Sequence, residues 1–176
     1  LLGRRVSDLE AVAEEVRKAG GRPVALQADV RDYVLLERAF QVFWDVTGRL
    51  DVLVNNAGIG IFRPVEEMTP EEFDDVIRTN LHGVFYCCKL AIPLMRRTGR
   101  GYIIQVGSLA GRNPIAGGAA YCASKFAVRG FSESLMLEVR YDDIKVTTIA
   151  PGSVDTHFGG HAGGEAWKLR PEDVAQ

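Results

Sequence analysis

The chain has 176 residues, 47% of them hydrophobic and 25% charged, the balance of one soluble domain large enough to bury a core. Its 21 Lys and Arg against 23 Asp and Glu leave a net charge of −2 with no block of like sign, which excludes an electrostatic footprint for nucleic acid or an anionic membrane and leaves a small molecule as the expected partner. The longest apolar run, residues 81–95, is broken by His82 and Lys89 and is too short to span a bilayer.

In chain order, Leu1-Leu2-Gly3 reads as the end of a strand, so the chain reads as a fragment that opens inside a fold. A Ser7-x-x-Glu10 capping box then predicts a helix with Leu9, Val12, Ala13 and Val16 along one side, ending at Gly20-Gly21. Residues 23–30 read as a strand, and residues 32–47 as an amphipathic helix with Leu35, Leu36, Ala39, Phe40, Phe43 and Val46 on its apolar side. A short apolar run, residues 50–58, ends in Asn-Asn-Ala-Gly. Thr69-Pro70-Glu71-Glu72 is a helix start with a threonine cap, a first-turn proline and a closing glutamate. That helix continues, interrupted near Asn80, towards Arg97. A further apolar run covers 101–108, a long helix Gly118 to Arg140, and a last run 145–152.

Apolar runs without strict alternation, separated by amphipathic segments of helical length, predict parallel strands buried by helices on both faces, a doubly wound α/β fold. Cys87, Cys88 and Cys122 form neither a disulfide framework nor a Cys-x-x-Cys pattern, which points to a reducing, cytoplasmic setting and to packing roles. His82, His157 and His161 have no metal-ligand spacing, so no metal site is expected.

In such sheets ligands collect beyond the carboxyl ends of the strands. The polar residues expected there are Asp29, Asn55 and Asn56, Ser108, then Pro151-Gly152 with Thr156. Tyr121 and Lys125, four apart on a helix, share one face. A lysine ammonium ~5 Å from a phenol at an effective dielectric of ~20 favours the phenolate by ~3 kcal/mol, about two pKa units, against an ordinary tyrosine value of ~10. With Ser108 holding a substrate oxygen against that phenol, the set suits proton transfer coupled to hydride transfer at a carbon bearing oxygen. The bland alternative is a surface pair with the phenol packed on the lysine stem.

Asn55 to Gly58, Asn80, Ser108, Tyr121-x-x-x-Lys125, Pro151-Gly152 with Thr156, and Asp29-Val30, in this order and spacing, resemble the short-chain dehydrogenase/reductase family over essentially the whole chain. The resemblance implies a Rossmann-like sheet, one NAD(P)-binding domain over 1–176, and a catalytic tetrad of Asn80, Ser108, Tyr121 and Lys125. It also implies cofactor contacts at Asp29 and Val30 beside the adenine, and at Asn56, Ala57 and Gly58 along the ribose. Tyr121 and Lys125 follow at the nicotinamide ribose, and Pro151, Gly152, Val154 and Thr156 near the carboxamide. Alternatively, Asn56 ties neighbouring strands, Asn80 merely interrupts a helix, Thr156 caps the next segment, Asp29 belongs to a turn and Ser108 satisfies a loop amide.

The family's first strand and its glycine-rich, pyrophosphate-binding turn have no counterpart here, nor does its C-terminal end, so the fold is expected to be incomplete at both termini. In a 3-2-1-4-5-6 order the missing strand is central; strands three and four are expected to lose a shared neighbour, and the piece alone to fold badly and bind dinucleotide poorly. Gly3 stands where an acidic residue would accept the ribose of NAD, and Arg4 and Arg5 follow, which favours NADP with NAD as the alternative. The expected function is hydride transfer between NADP(H) and a carbonyl or secondary alcohol, 3-oxoacyl thioesters among the candidates. The alternative is a non-catalytic dinucleotide-binding regulator or scaffold. Residues 158–168 lie in the family's substrate-lid region, where Phe158, Trp167 and, from elsewhere, Phe62 either line an apolar pocket or pack in the core. A homodimer or homotetramer built on the two long helices completes the expectation.

Overall fold

The computed structural model describes residues 1–156, 158–160 and 168–175. Strands β1 (Leu2–Gly3) and β2 (Leu26–Gln27) form a parallel pair, and β3 (Val52–Asn55), β4 (Gly101–Val106) and β5 (Ile144–Ile149) a parallel three-stranded sheet in the order β3-β4-β5. Among the described residues the two sheets share no ladder, and the break falls between β1 and β3. In the 3-2-1-4-5-6 numbering these are strands two and four, so the pair that lacks a common neighbour is not three and four as expected. The strand expected over residues 23–30 shrinks to Leu26–Gln27, because its only ladder partner is itself two residues long.

Helix α1 (Val6–Lys18) packs on the face of β1 that carries Gly3, where a Cβ would stand 3.3 Å from Leu9. Helix α2 (Tyr33–Thr47) covers the opposite face, its buried Leu36 and Ala39 clustering with Ala28, Leu2 and Leu26. Helices therefore flank the β1–β2 pair on both sides. The three-stranded sheet is different. Its Leu53, Ile103, Ile144 and Val146 face the main core of Val84, Cys88, Ala91, Met95, Val128, Leu135 and Val139 from α4 (Gly83–Thr98) and α5 (Ala119–Val139). On the other face Val52 and Val54 are 48% and 53% exposed, with no described helix against them.

The capping box expected at Ser7-x-x-Glu10 is absent: α1 begins at Val6, behind Arg5, and no side chain caps it. Arg5 instead pairs with Asp8 in the first turn, a carboxylate placed well against the helix dipole. Helix α3 (Pro70–Ile77) has the reciprocal Thr69–Glu72 box in full. Between α3 and α4 the interruption expected near Asn80 is a π-turn over Arg78–His82, which rotates Asn80 into the interior at 1% exposure.

Candidate active site

Asn55, Gln105 and Ser108 sit at or just beyond the carboxyl ends of β3 and β4. Ser108 follows β4 and caps the short turn Leu109–Gly111, its Oγ accepting from Ala110 N at 3.1 Å. Having accepted there, the hydroxyl is free to donate elsewhere, and it stands near enough to the Tyr121 phenol to favour its phenolate. The turn lies directly on α5: a Cβ at Gly111 would be 2.9 Å from Lys125 O, so only glycine admits this approach. Lys125 is 7% exposed; its Nζ donates to Val106 O at 2.8 Å and lies 5.8 Å from the centre of the Tyr121 ring.

The electrostatics depart from the sequence argument. Burial lowers Lys125 to about 8, because the buried ammonium loses its hydration. Tyr121 is raised, not lowered: burial penalises the phenolate more than the Ser108 hydrogen bond favours it, with Cys122 adding a smaller upward push. In this state the lysine does not make the phenol acidic. Its ammonium is bonded to a carbonyl and itself partly deprotonated near pH 8.

Asn80 joins three elements. Its Oδ1 accepts from Ile59 N at 2.8 Å, and its Nδ2 donates to Ile59 O at 2.9 Å and to Ser124 Oγ at 3.0 Å. Ser124 Oγ in turn donates to Tyr121 O at 2.7 Å. Ser124 is fully buried and escaped the sequence reading, although a hydroxyl directly before Lys125 on a helix face otherwise made of small residues was a usable signal. Gln105 was missed too. It sits fully buried in β4 and accepts from Asn55 Nδ2 at 2.9 Å, while both amides reach Cys88 Sγ at 3.4 Å. The strand-tying amide is thus Asn55, whereas Asn56 is exposed.

Among the expected cofactor contacts, Gly58 borders the reactive set. A Cβ there would meet Asn80 Oδ1 at 3.3 Å and Lys125 Nζ at 3.9 Å, so the missing side chain leaves the lysine approachable. Among the described residues one of that ammonium's three donors is used, and the remainder suit a diol. Ala57 is exposed beside Asn56. Pro151 O accepts from Leu109 N at 2.9 Å, Gly152 stands open apart from the Leu109 side chain, and Val154 bridges Leu169. Thr156 Oγ1 accepts from Phe158 N at 3.3 Å. Val30 lies against Gly83 at the start of α4.

At the far end Asp29 is held low by Arg31, which reaches its carboxylate through Nε and Nη2 and bonds Asp75 through Nη1. Arg4 also draws Asp29 down, but its guanidinium makes no hydrogen bond or ion pair among the described residues, whereas Arg5 is committed to Asp8. A free guanidinium beside Gly3 fits a ribose 2′-phosphate. His157, His161 and Trp167 lie outside the described residues.

The family model described as short chain dehydrogenase matches residues 1–165. The chain belongs to the short-chain dehydrogenase family. Sepiapterin reductase of Chlorobaculum tepidum is 34% identical over 177 residues, covering 99% of this chain and 72% of that protein. A 3-ketodihydrosphingosine reductase of Bacteroides thetaiotaomicron is 41% identical over 138 residues, 78% of this chain and 51% of that one. The X-ray structure of an alcohol dehydrogenase from Thermococcus sibiricus, complexed with 5-hydroxy-NADP, superposes with a TM-score of 0.93 at 31% identity, over 99% of this chain and 75% of that one. This short-chain dehydrogenase therefore has the Rossmann-like α/β fold of its family.

Proposed function

We propose that the protein is an NADP-dependent carbonyl reductase, running in reverse as an alcohol dehydrogenase, with residues 1–176 forming one dinucleotide-binding domain. The observation that carries this reading is the placement of Ser108 beside the Tyr121 phenol, near enough to favour its phenolate, with Lys125 one turn further along α5. Two neighbouring hydroxyls can both reach one substrate oxygen. Lys125 and Gly58 would hold the nicotinamide ribose, Asn56 and Ala57 the neighbouring sugar, Pro151, Gly152, Val154 and Thr156 the carboxamide, Asp29 and Val30 the adenine, and Arg4 the 2′-phosphate. The NADP preference rests on the Arg4 guanidinium, which makes no hydrogen bond or ion pair among the described residues, and an archaeal relative complexed with 5-hydroxy-NADP supports it. Bound NADPH supplies a hydride for the carbonyl carbon.

The protein's own part is the proton. A phenol raised above its ordinary value is fully protonated at neutral pH, so Tyr121 is ready to act as the acid. It passes its proton to the carbonyl oxygen, while Ser108 donates a hydrogen bond to the same atom and Lys125 holds the nicotinamide ribose beside it. Asn80 acts through its backbone and by fixing Ile59 and α5, since its side chain is fully engaged. Exposed Phe85 and Phe126 on α4 and α5 support assembly as a homodimer or homotetramer through these helices. Three free, buried cysteines fit a cytoplasmic setting. Among the described residues no helix is long and apolar enough to cross a membrane.

The test is NADPH oxidation by the full-length protein with a panel of ketones and 3-oxoacyl thioesters, beside Tyr121→Phe. Removal of the acid should lower kcat by roughly 10²–10⁴-fold. Equal rates in the two proteins would favour a dinucleotide-binding scaffold, and a lower Michaelis constant for NADH than NADPH would overturn the assignment to Arg4.

A further inference from the structure

The phenol proposed as the acid is one ring of three. Phe62 and Phe158 each lie with ring centres 5.4 Å from that of Tyr121, inclined at 59° and 56°. They come from distant parts of the chain, one from the loop after β3 and the other from the segment after β5, and they converge over Gly60. A Cβ at Gly60 would stand 2.7 Å from Phe62 Cε2 and 2.7 Å from Phe158 Cε1, so only glycine lets both rings close in.

The frame under this cluster is fixed. Ile59 is held by Asn80, Arg63 N donates to Gly117 O at 2.8 Å, and Phe158 N is held by Thr156. Arg63, the cation next to Phe62, is paired with Glu72 at 3.0 Å and so is not free to meet an anionic substrate. Phe62 nevertheless keeps 38% of its surface exposed, which a ring serving only the core would not.

We infer that Phe62 and Phe158 form an aromatic clamp that selects ketones whose carbonyl is attached to, or part of, a flat ring system. This rests on the reductase reading above. A carbonyl bonded to the Tyr121 hydroxyl lies beside a ring that both phenyl groups pack against. Rings inclined at these angles present edges and faces to a planar guest, the geometry aromatic pairs prefer. A rigid ring also packs against these phenyl groups without losing rotor freedom, whereas a linear acyl chain of equal carbon number must be ordered along its length.

The experiment measures kcat/KM of the full-length protein with NADPH for 1-tetralone and for 2-decanone, which have equal carbon counts, in wild type, Phe62→Ala, Phe158→Ala and Gly60→Ala. The expected result is a wild-type preference for 1-tetralone of at least about tenfold that falls by about tenfold in each variant. Phe62→Leu and Phe158→Leu repeat the test with apolar volume kept, should an alanine variant fail to fold, and the preference should fall in these as well. Binding of 1-tetralone in the presence of NADP, followed by calorimetry, should weaken in parallel. Turnover of both ketones with no ring preference, or a preference that survives in all folded variants, overturns the clamp and leaves the reductase reading intact. Failure of every carbonyl compound, together with no effect of Tyr121→Phe, overturns both.

Discussion

Two buried polar clusters lie a short distance apart and are built to opposite ends. Asn55, Gln105 and Cys88 bond to one another, side chain to side chain, inside the layer between β3, β4 and α4. Asn80 and Ser124 instead end on main-chain atoms, those of Ile59 on one side and Tyr121 on the other. Both satisfy their buried amides, as a folded interior requires. The first cluster closes on itself and holds the sheet together. The second transmits position, because moving either side chain moves a loop bordering the reactive hydroxyls.

This contrast can be broken most severely at Asn80. Asn80→Ala releases both Ile59 bonds and should lower kcat for carbonyl reduction by about 10²-fold through misplacement of the site, a larger factor than its loss of stability at the assay temperature. Gln105→Leu should do the reverse. The Asn55 amide would keep only a weak thiol acceptor, costing roughly 1–3 kcal/mol in denaturant unfolding with little change in kcat. The double variant Asn55→Leu with Gln105→Leu should recover most of that loss, since removing both partners removes the unsatisfied group. No recovery would mean that the cluster does more than hold strands.

Lys125 adds a dependence on pH. Its folded value of about 8 lies below the ordinary 10.5, so below about 8 the folded protein bears the full penalty of a buried charge. Between about 8 and 10.5 the unfolded chain binds the extra proton, and stability rises with pH through this window. Lys125→Met should therefore raise the cofactor-free Tm at pH 7, by an amount that shrinks as pH approaches 10.5. The phenol gives a kinetic counterpart. With Tyr121 raised, carbonyl reduction should be flat through neutral pH and fall only on the alkaline side, while alcohol oxidation, which needs the phenolate, should climb with pH. The smallest effect belongs to the buried thiols: burial pushes Cys88, in the closed cluster, up to about 11 and its neighbour Cys87 up to about 12, so neither should react with iodoacetamide in the native protein at pH 8.

The order of strands and helices was legible because apolar runs and capping signals such as Thr69-Pro70 act locally. The order and spacing of Asn80, Ser108, Tyr121 and Lys125 were legible for the same reason, as each follows a recognisable strand or helix. Ser7 misled because a serine near a helix start satisfies the pattern whether or not it occupies the cap itself. Gln105 was hidden by its neighbours: one polar residue in an apolar strand gives no sign of which amide will face it across the sheet. The sign of the Tyr121 shift was illegible too, since a sequence gives the distance between charges but not their burial.

Gly111 has a bearing on how such a protein changes over time. Because bare backbone touches bare backbone there, the separation of the serine from the tyrosine and lysine is a property of the peptide scaffold and is indifferent to the choice of surrounding rotamers. Drift among the bulky groups that greet the guest can then proceed while the proton-handling trio keeps its dimensions, so new guests can be tried without retooling the reaction.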